Sequence, residues 1–240
     1  MLFSKLGYYA LVFGLIFSIT LIPIAYKDFK IKNNLINSNI FSIIFFQLFS
    51  VLLSFIFLIL SFVNSDFSNE TVYNNSHSTK PLFYKISGTW GNHEGSLLLC
   101  LLVLIFFIFF FLLTSKKEPK KYQIYTLLFQ QVIIVGFFLF LLITSNPFNH
   151  LFPIPSEGLG LNPILQDPIL AIHPPILYLG YIGSSIIFSS SLAAIINDYV
   201  KSEWAKHLKK WIIVSWIFLT IGIMLGSIWA YYELGWGGFW

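Results

Sequence analysis

From Ile40 to Val63 the chain carries no charged side chain, and Tyr8–Tyr26, Ser96–Ser115, Tyr122–Thr144 and Trp211–Tyr231 repeat the pattern. A hydrocarbon core about 30 Å thick is crossed by about 20 apolar residues in helix, which is the length of each of these runs. A sixth segment, Pro174–Ile196, is richer in serine but equally free of charge. Backbone polar groups inside a bilayer must find partners within the chain, so such runs become helices. The sequence therefore predicts an all-α polytopic membrane protein with about six transmembrane helices in a single membrane domain spanning residues 1–240. Only 10% of its residues are charged, against about 25% in soluble domains, so a water-facing surface is excluded.

Lysine placement predicts the orientation. The connections Tyr26–Asn39, Lys116–Lys121 and Asn197–Lys210 hold eleven of the 14 basic residues, all of them lysine; the alternate connections hold only Lys5, Lys80 and Lys85. Lysine-rich loops stay on the cytoplasmic or matrix side, which puts the N-terminus outside, in the periplasm or intermembrane space. The outer face then carries Asn64–Gly95, the proline-rich loop 145–173 and the C-terminal residues; seven of the ten prolines lie between Pro147 and Pro175. The N-terminal run has the outline of a signal peptide, but no small-residue cleavage site follows it, so a retained first span is expected. The absence of arginine and the abundance of Phe, Ile, Asn and Lys fit an AT-rich genome such as an organelle's.

Several chemistries are excluded. Cys100 is the sole cysteine and lies within an apolar run, which rules out an internal disulfide and a CxxC site and suits packing. No Lys, Asp, Glu or His sits mid-span, which argues against an ion or proton pathway. There is no phosphate loop and no Ser/His/Asp order, and the membrane-side placement of the lysines gives no reason to invoke nucleic acid.

Two features point to a site. In "AIHPPILYLGYIG", Ala171–Gly183, the prolines predict a helix that starts at Pro174 or Pro175, with His173 extended at its N-cap. A neutral imidazole there has two readings: it caps its helix or meets headgroups, or it offers a lone pair to a metal. Below it, Gly180 and Ser184 form a small-xxx-small pair suited to close helix approach, and the serines Ser184–Ser191 suggest packing against protein. The second feature is "GSIWAYYELGWGGFW", Gly226–Trp240, where Trp229, Tyr231, Tyr232, Trp236, Phe239 and Trp240 crowd one membrane exit. An aromatic belt explains the rings but not Gly235, Gly237 and Gly238 between them, which let backbone approach a flat ligand. A planar macrocycle carrying iron needs an aromatic shelf and an axial histidine, and both lie on the same predicted face.

"GTWGNHEGSLLL" (Gly88–Leu99), "NPILQDPILAIHPPILYLGYIG" (Asn162–Gly183) and "FLTIGIMLGSIWAYYELGWGGFW" (Phe218–Trp240) together closely resemble the CcmF family, the cytochrome c haem-lyase subunits of the Ccm maturation system. The resemblance runs from Lys85 onward; the first two spans match in character only. It implies that His173 is an axial ligand of haem iron. It also implies that Trp229, Tyr232, Trp236, Gly237, Gly238, Phe239 and Trp240 belong to the opening of a tryptophan-rich WWD haem-binding segment over 226–240. That segment is incomplete here: an FWDPVEN-like continuation and the family's further histidines do not follow, so a second polypeptide that completes the site, or a truncated fragment, is expected. The cofactor implied is haem b. The partners implied are a complementary CcmF C-terminal polypeptide, a CcmE-like holo-haem chaperone, apocytochrome c with a CcmH-like presenting factor, and membrane lipid. The location implied is the mitochondrial inner membrane, or the plasma membrane for a bacterial source.

The motif around Trp90, Gly91, His93, Glu94 and Gly95 is characteristic of the family without a ligand role to transfer. Capping and packing by Asn92, His93 and Glu94 is the simpler reading, with haem ligation or acid–base work by His93 as the alternative. His77, His150 and His207 are expected at the surface. A non-catalytic structural or assembly subunit is the competing reading of the whole chain.

Overall fold

The computed structural model describes residues 1–31 and 36–236. Six helical spans cross a bilayer's thickness: α1 (Leu2–Lys30), α2 (Ser38–Val63), α5 (His93–Thr114), α6 (Lys120–Ile143), the pair α7 (Pro168–Tyr181) and α8 (Ser184–Ile196), and α9 (Ser202–Glu233). Short helices α3 (Glu70–Asn75) and α4 (Leu82–Gly88) lie between α2 and α5. No strand is formed among the described residues; the one antiparallel bridge joins Asn69 to His150. The protein is thus a multi-pass, all-helical membrane protein. Lys32, counted among the loop lysines, lies outside the described residues.

The helices run past the apolar cores that predicted them. α1 continues through Lys27 to Lys30, whose charges suit the negative end of its dipole. α1 pairs with α2, α5 and α6 close the bundle behind them, and α8 packs against α6. Side chains such as Leu101, Ile105, Ile108 and Phe111 of α5 are fully buried.

Lipid tails are as apolar as leucine, so association inside a bilayer draws on close packing and hydrogen bonds. Ser18 Oγ donates to Gln131 Oε1 at 2.7 Å, and Gln131 and Gln47 exchange amide bonds at 3.2 Å, tying α6 to α1 and α2. The neighbouring Gln130 turns the other way, donating to Ser185 Oγ and accepting from Ser189 Oγ, each at 2.8 Å. Tyr122 and Ser190 add a 2.6 Å bond between α6 and α8. On the lysine-rich side, Lys120 and Asp28 form a buried ion pair at 3.0 Å.

The loops at the opposite end are tied to each other. Asn69, fully buried, donates to Ser4 Oγ at 2.8 Å and to the Pro147 carbonyl at 2.9 Å. Backbone bonds from Glu70 to Asn149, Leu151 to Ser68 and Leu159 to Tyr73 follow. The Ser78 amide donates to Glu157 Oε1 at 2.9 Å. The proline-rich stretch is therefore ordered by pairing with the α2–α5 connection, since its own backbone cannot form helix.

Candidate functional site

The geometry around His173 starts with a correction. α7 begins at Pro168, six residues before Pro174, the earlier of the two positions expected from the double proline. Asp167 caps it by accepting from the Leu170 amide at 2.8 Å, and Pro168 takes the first helical position, where a missing N–H costs nothing. Pro174 and Pro175 consequently lie inside the helix, and His173 is a helical residue of the second turn, not an N-cap in extended conformation. The bias of a pre-proline residue against helix is overridden by the stronger start signal upstream.

Two prolines inside a helix leave the carbonyls of Leu170 and Ala171 without their usual partners. The Trp90 indole Nε1–H, 81 residues away in sequence, donates to the Ala171 carbonyl at 2.8 Å. The Trp-Gly-Asn-His-Glu-Gly motif and the His-Pro-Pro motif are thereby joined by one hydrogen bond. Around Trp90 the motif folds on itself. Asn92 caps α5 by accepting from the Gly95 amide at 2.8 Å and donates to the Gly88 carbonyl at 2.7 Å. A Cβ on Gly95 would lie 1.6 Å from the Thr89 carbonyl oxygen, so glycine is required there. His93 is exposed and pairs through Nε2 with Ser145 Oγ at 3.1 Å. Between this motif and α7 lies a cavity of about 310 Å³, which Trp90, His93, Ser96, Pro174 and Tyr178 help to line.

His173 faces the other way, onto α9. Its Nδ1 lies 2.7 Å from the Gly222 carbonyl. A carbonyl only accepts, so Nδ1 carries the proton and, in the neutral ring, Nε2 keeps its lone pair. A main-chain carbonyl behind Nδ1 is the usual arrangement that orients a histidine for a metal on Nε2. The approach depends on bare backbone: a Cβ on Gly226 would sit 2.8 Å from the ring's Cε1. One and two turns further along, the helices themselves touch, since a Cβ on Gly222 would meet the Leu177 Cα at 2.8 Å and one on Gly180 the Leu219 amide nitrogen at 2.3 Å. Of the predicted small-residue pair, Gly180 is in this seam and Ser184 is exposed.

α9 carries the aromatic residues onward. Trp229 follows Gly226 on the same helix face, three positions on; it is half-buried and its Nε1–H has no hydrogen-bond partner among the described residues. Tyr232 is turned about 120° from Gly226 around the helix; it is 70% exposed and edge-on to Tyr231 at 5.3 Å. Gly235 adopts φ 63°, ending the helix, and Trp236 beyond it is 60% exposed. Gly237, Gly238, Phe239 and Trp240 lie outside the described residues. His173 and the start of the aromatic segment thus occupy adjacent helices, with no other described element between them.

The donor set fits a single bond to the iron of a porphyrin: Nδ1 of His173 is held from behind by a carbonyl, which leaves Nε2 as the ring's other nitrogen, and the Trp229 indole farther along the facing helix has a donor with no partner among the described residues. Among the described residues no three His, Cys, Asp or Glu side chains gather to hold a bare metal ion. Gly222 and Gly226 escaped the sequence reading as contacts of His173, although their four-residue spacing is a small-xxx-small signal. His207, expected at the surface, is buried at 9% exposure with its ring 5.2 Å from Phe111, because it falls on the face of α9 that meets α5.

A family model described as "Cytochrome C assembly protein" matches residues 90–240. Cytochrome c-type biogenesis protein CycK of Bradyrhizobium diazoefficiens is 45% identical over 237 residues, covering 99% of this chain and 36% of that protein. Cytochrome c-type biogenesis protein CcmF of Escherichia coli K12 is 41% identical over 205 residues, covering 85% of this chain and 31% of that protein. Among solved structures, one described as cytochrome c heme lyase CcmF superposes with a TM-score of 0.80 at 26% identity, covering 99% of this chain and 38% of that one. The chain spans about a third of the length of these relatives.

Proposed function

Since the chain belongs to the cytochrome c assembly protein family, we propose that it supplies the haem-holding portion of a cytochrome c haem lyase, with His173 Nε2 as one axial ligand. The observation that carries this reading is the 2.7 Å contact of Nδ1 with the Gly222 carbonyl, which fixes the tautomer a ligating imidazole needs. Trp229, Tyr232 and Trp236 would flank the macrocycle, with Gly237, Gly238, Phe239 and Trp240 continuing the shelf. The face bearing His173 is the outer one by the lysine rule, since the lysine-rich connections lie at the opposite helix ends.

The substrate is haem b together with apocytochrome c. Each thioether forms when a cysteine S–H adds across a haem vinyl group, sulfur to one carbon and hydrogen to the other, with no net oxidation. This chain's share would be positioning: His173 would hold the haem while the thiols add to its vinyl groups. Its partners would be a complementary CcmF polypeptide, a CcmE-like haem chaperone and a CcmH-like factor presenting apocytochrome c. Composition supports the mitochondrial inner membrane as the location. Residues 226–240 would be the opening of the WWD segment, and 145–173 an outer-face loop that runs into α7.

The test co-expresses the chain with the complementary remainder of a CcmF protein and compares wild type with His173→Ala. Loss of the haem absorbance of the purified assembly, and a fall of about tenfold or more in cytochrome c maturation, is expected. Added imidazole should restore part of both. Unchanged haem content and maturation would overturn the ligand role and leave a structural subunit as the better reading.

A further inference from the structure

A wide recess lies at the end of the molecule away from His173. It is a cleft of about 1020 Å³, and Lys30, Lys116, Lys117, Lys120, Lys121 and Lys201 line it against only two carboxylates, Glu118 and Asp198. The lysines come from three connections distant in sequence, which the fold brings together at one membrane exit. Lys120 is buried and already paired with Asp28 at 3.0 Å, so it is fixed in place. Lys30 and Lys121 are held over aromatic rings, at 4.6 Å from Tyr26 and 5.8 Å from Phe29. Phe29, Tyr122 and Tyr199 supply an apolar side to the same cleft. The positive-inside rule accounts for lysines on this face, but not for their convergence on a cavity.

A second recess shares one lining residue with the first. A groove of about 480 Å³ is lined by Phe41, Phe45, Phe46, Phe109 and Leu113, and Lys116 belongs to both. The groove lies between α2 and α5, with Phe45 and Phe109 ring to ring at 6.3 Å. A basic recess at helix ends beside a mostly apolar groove, with Lys116 in the lining of both, matches one chemical class: a molecule with a phosphate at one end and a hydrocarbon chain at the other. Basic pockets between transmembrane helices are where anionic headgroups settle. We infer that this cleft and groove together bind an anionic phospholipid, with its phosphodiester among Lys116, Lys117 and Lys121 and one acyl chain against Phe45 and Phe109. The inference is independent of the haem reading, since no residue is shared.

The test uses the full chain in phosphatidylcholine nanodiscs, titrated with phosphatidylglycerol and read by native mass spectrometry of the retained lipid. The K116Q/K117Q/K121Q variant should lower retention of phosphatidylglycerol by about tenfold or more, each lysine at a membrane surface being a substantial attractor. K206Q/K209Q/K210Q removes the same charge from exposed positions of α9 on the same side, outside both recesses. It should change retention by less than about twofold, because scattered surface charge is screened. F45A/F109A should weaken retention severalfold with the lysines intact. Equal losses in the two lysine variants would reduce the effect to diffuse charge and overturn the site. Displacement of the lipid by inorganic phosphate alone, or by polyglutamate at lower concentration, would also overturn it, pointing to a free anion or an acidic peptide. Helical circular dichroism of each variant, matched to wild type, ensures that a loss is read as binding and not as unfolding.

Discussion

The bundle of α1, α2, α5 and α6 and the pair α7–α9 solve the same packing problem differently. α5 has 56% of its most apolar window buried, and α9 has 11%. The bundle is held by wide apolar burial and by serine and glutamine bonds inside it. The pair is held by a narrow seam in which Gly180 and Gly222 let backbones touch. The difference teaches where freedom has been left. The candidate ligand sits on the lightly held pair, and what fixes its ring is a carbonyl of the opposite helix. The framework meets α7 along only a short stretch of α5, and adds to that contact through α8 and through Trp90.

The contrast can be broken most sharply at the seam. Gly180→Leu must push a side chain into the Leu219 backbone, which cannot yield, and should destabilise the α7–α9 pair by about 3 kcal/mol. Limited proteolysis should then release α9 while α1–α6 stay protected; simultaneous loss of both would mean the two regions fold as one. Trp90→Phe keeps one aromatic ring but removes the donor to the Ala171 carbonyl, leaving that oxygen unpaired, together with the pyrrole half of the indole. A loss of about 1–2 kcal/mol is expected in detergent unfolding, with a shift in the haem spectrum of the assembled protein. Gln131→Leu removes the bonds to Ser18 and Gln47 in the well-buried region; about 1 kcal/mol is expected, with the α7–α9 pair untouched. The smallest effect belongs to the loops. Bonds from the Ser78 hydroxyl, then from the Gly158 and Ser78 amides, hold Glu157 down to about 2, from an ordinary 4.5. A carboxylate lowered in the fold stabilises it at every pH above its free value and loses that contribution as pH falls through the folded one. The tie should therefore persist at pH 5 and fade only towards pH 2, so the Ser78 amide resonance should titrate near 2; a midpoint near 4.5 would show that the bond does not form.

What the sequence made legible follows the same division. All six spans could be read because run length against bilayer thickness is a strong constraint, and Tyr122–Thr144 differs from α6 by only a few end residues. α7 starts ahead of the double proline because two proline signals compete within a few residues. Asp167–Pro168 is the stronger one, a capping side chain followed by a proline at the first helical position. His173 was identifiable as a residue of interest, but its partner was not. Nothing in the sequence pairs His173 with Gly222 or Trp90 with Ala171, since both contacts exist only once helices distant in the chain have packed. His207 shows the converse: surrounded by lysines in sequence, it is buried because one face of a helix can be wet while the next is not.

Gln130 and Gln131 stand next to each other on α6, and each is committed to a different neighbour, Ser185 and Ser189 on one side, Ser18 and Gln47 on the other. Consecutive residues point about 100° apart around a helix, so both sets of bonds can form at only one rotational setting of α6. That single angle acts as an index mark shared by the two halves. Twisting α6 by one position would unlatch both, so the azimuth of the rear helices is dialled in from the front of the bundle.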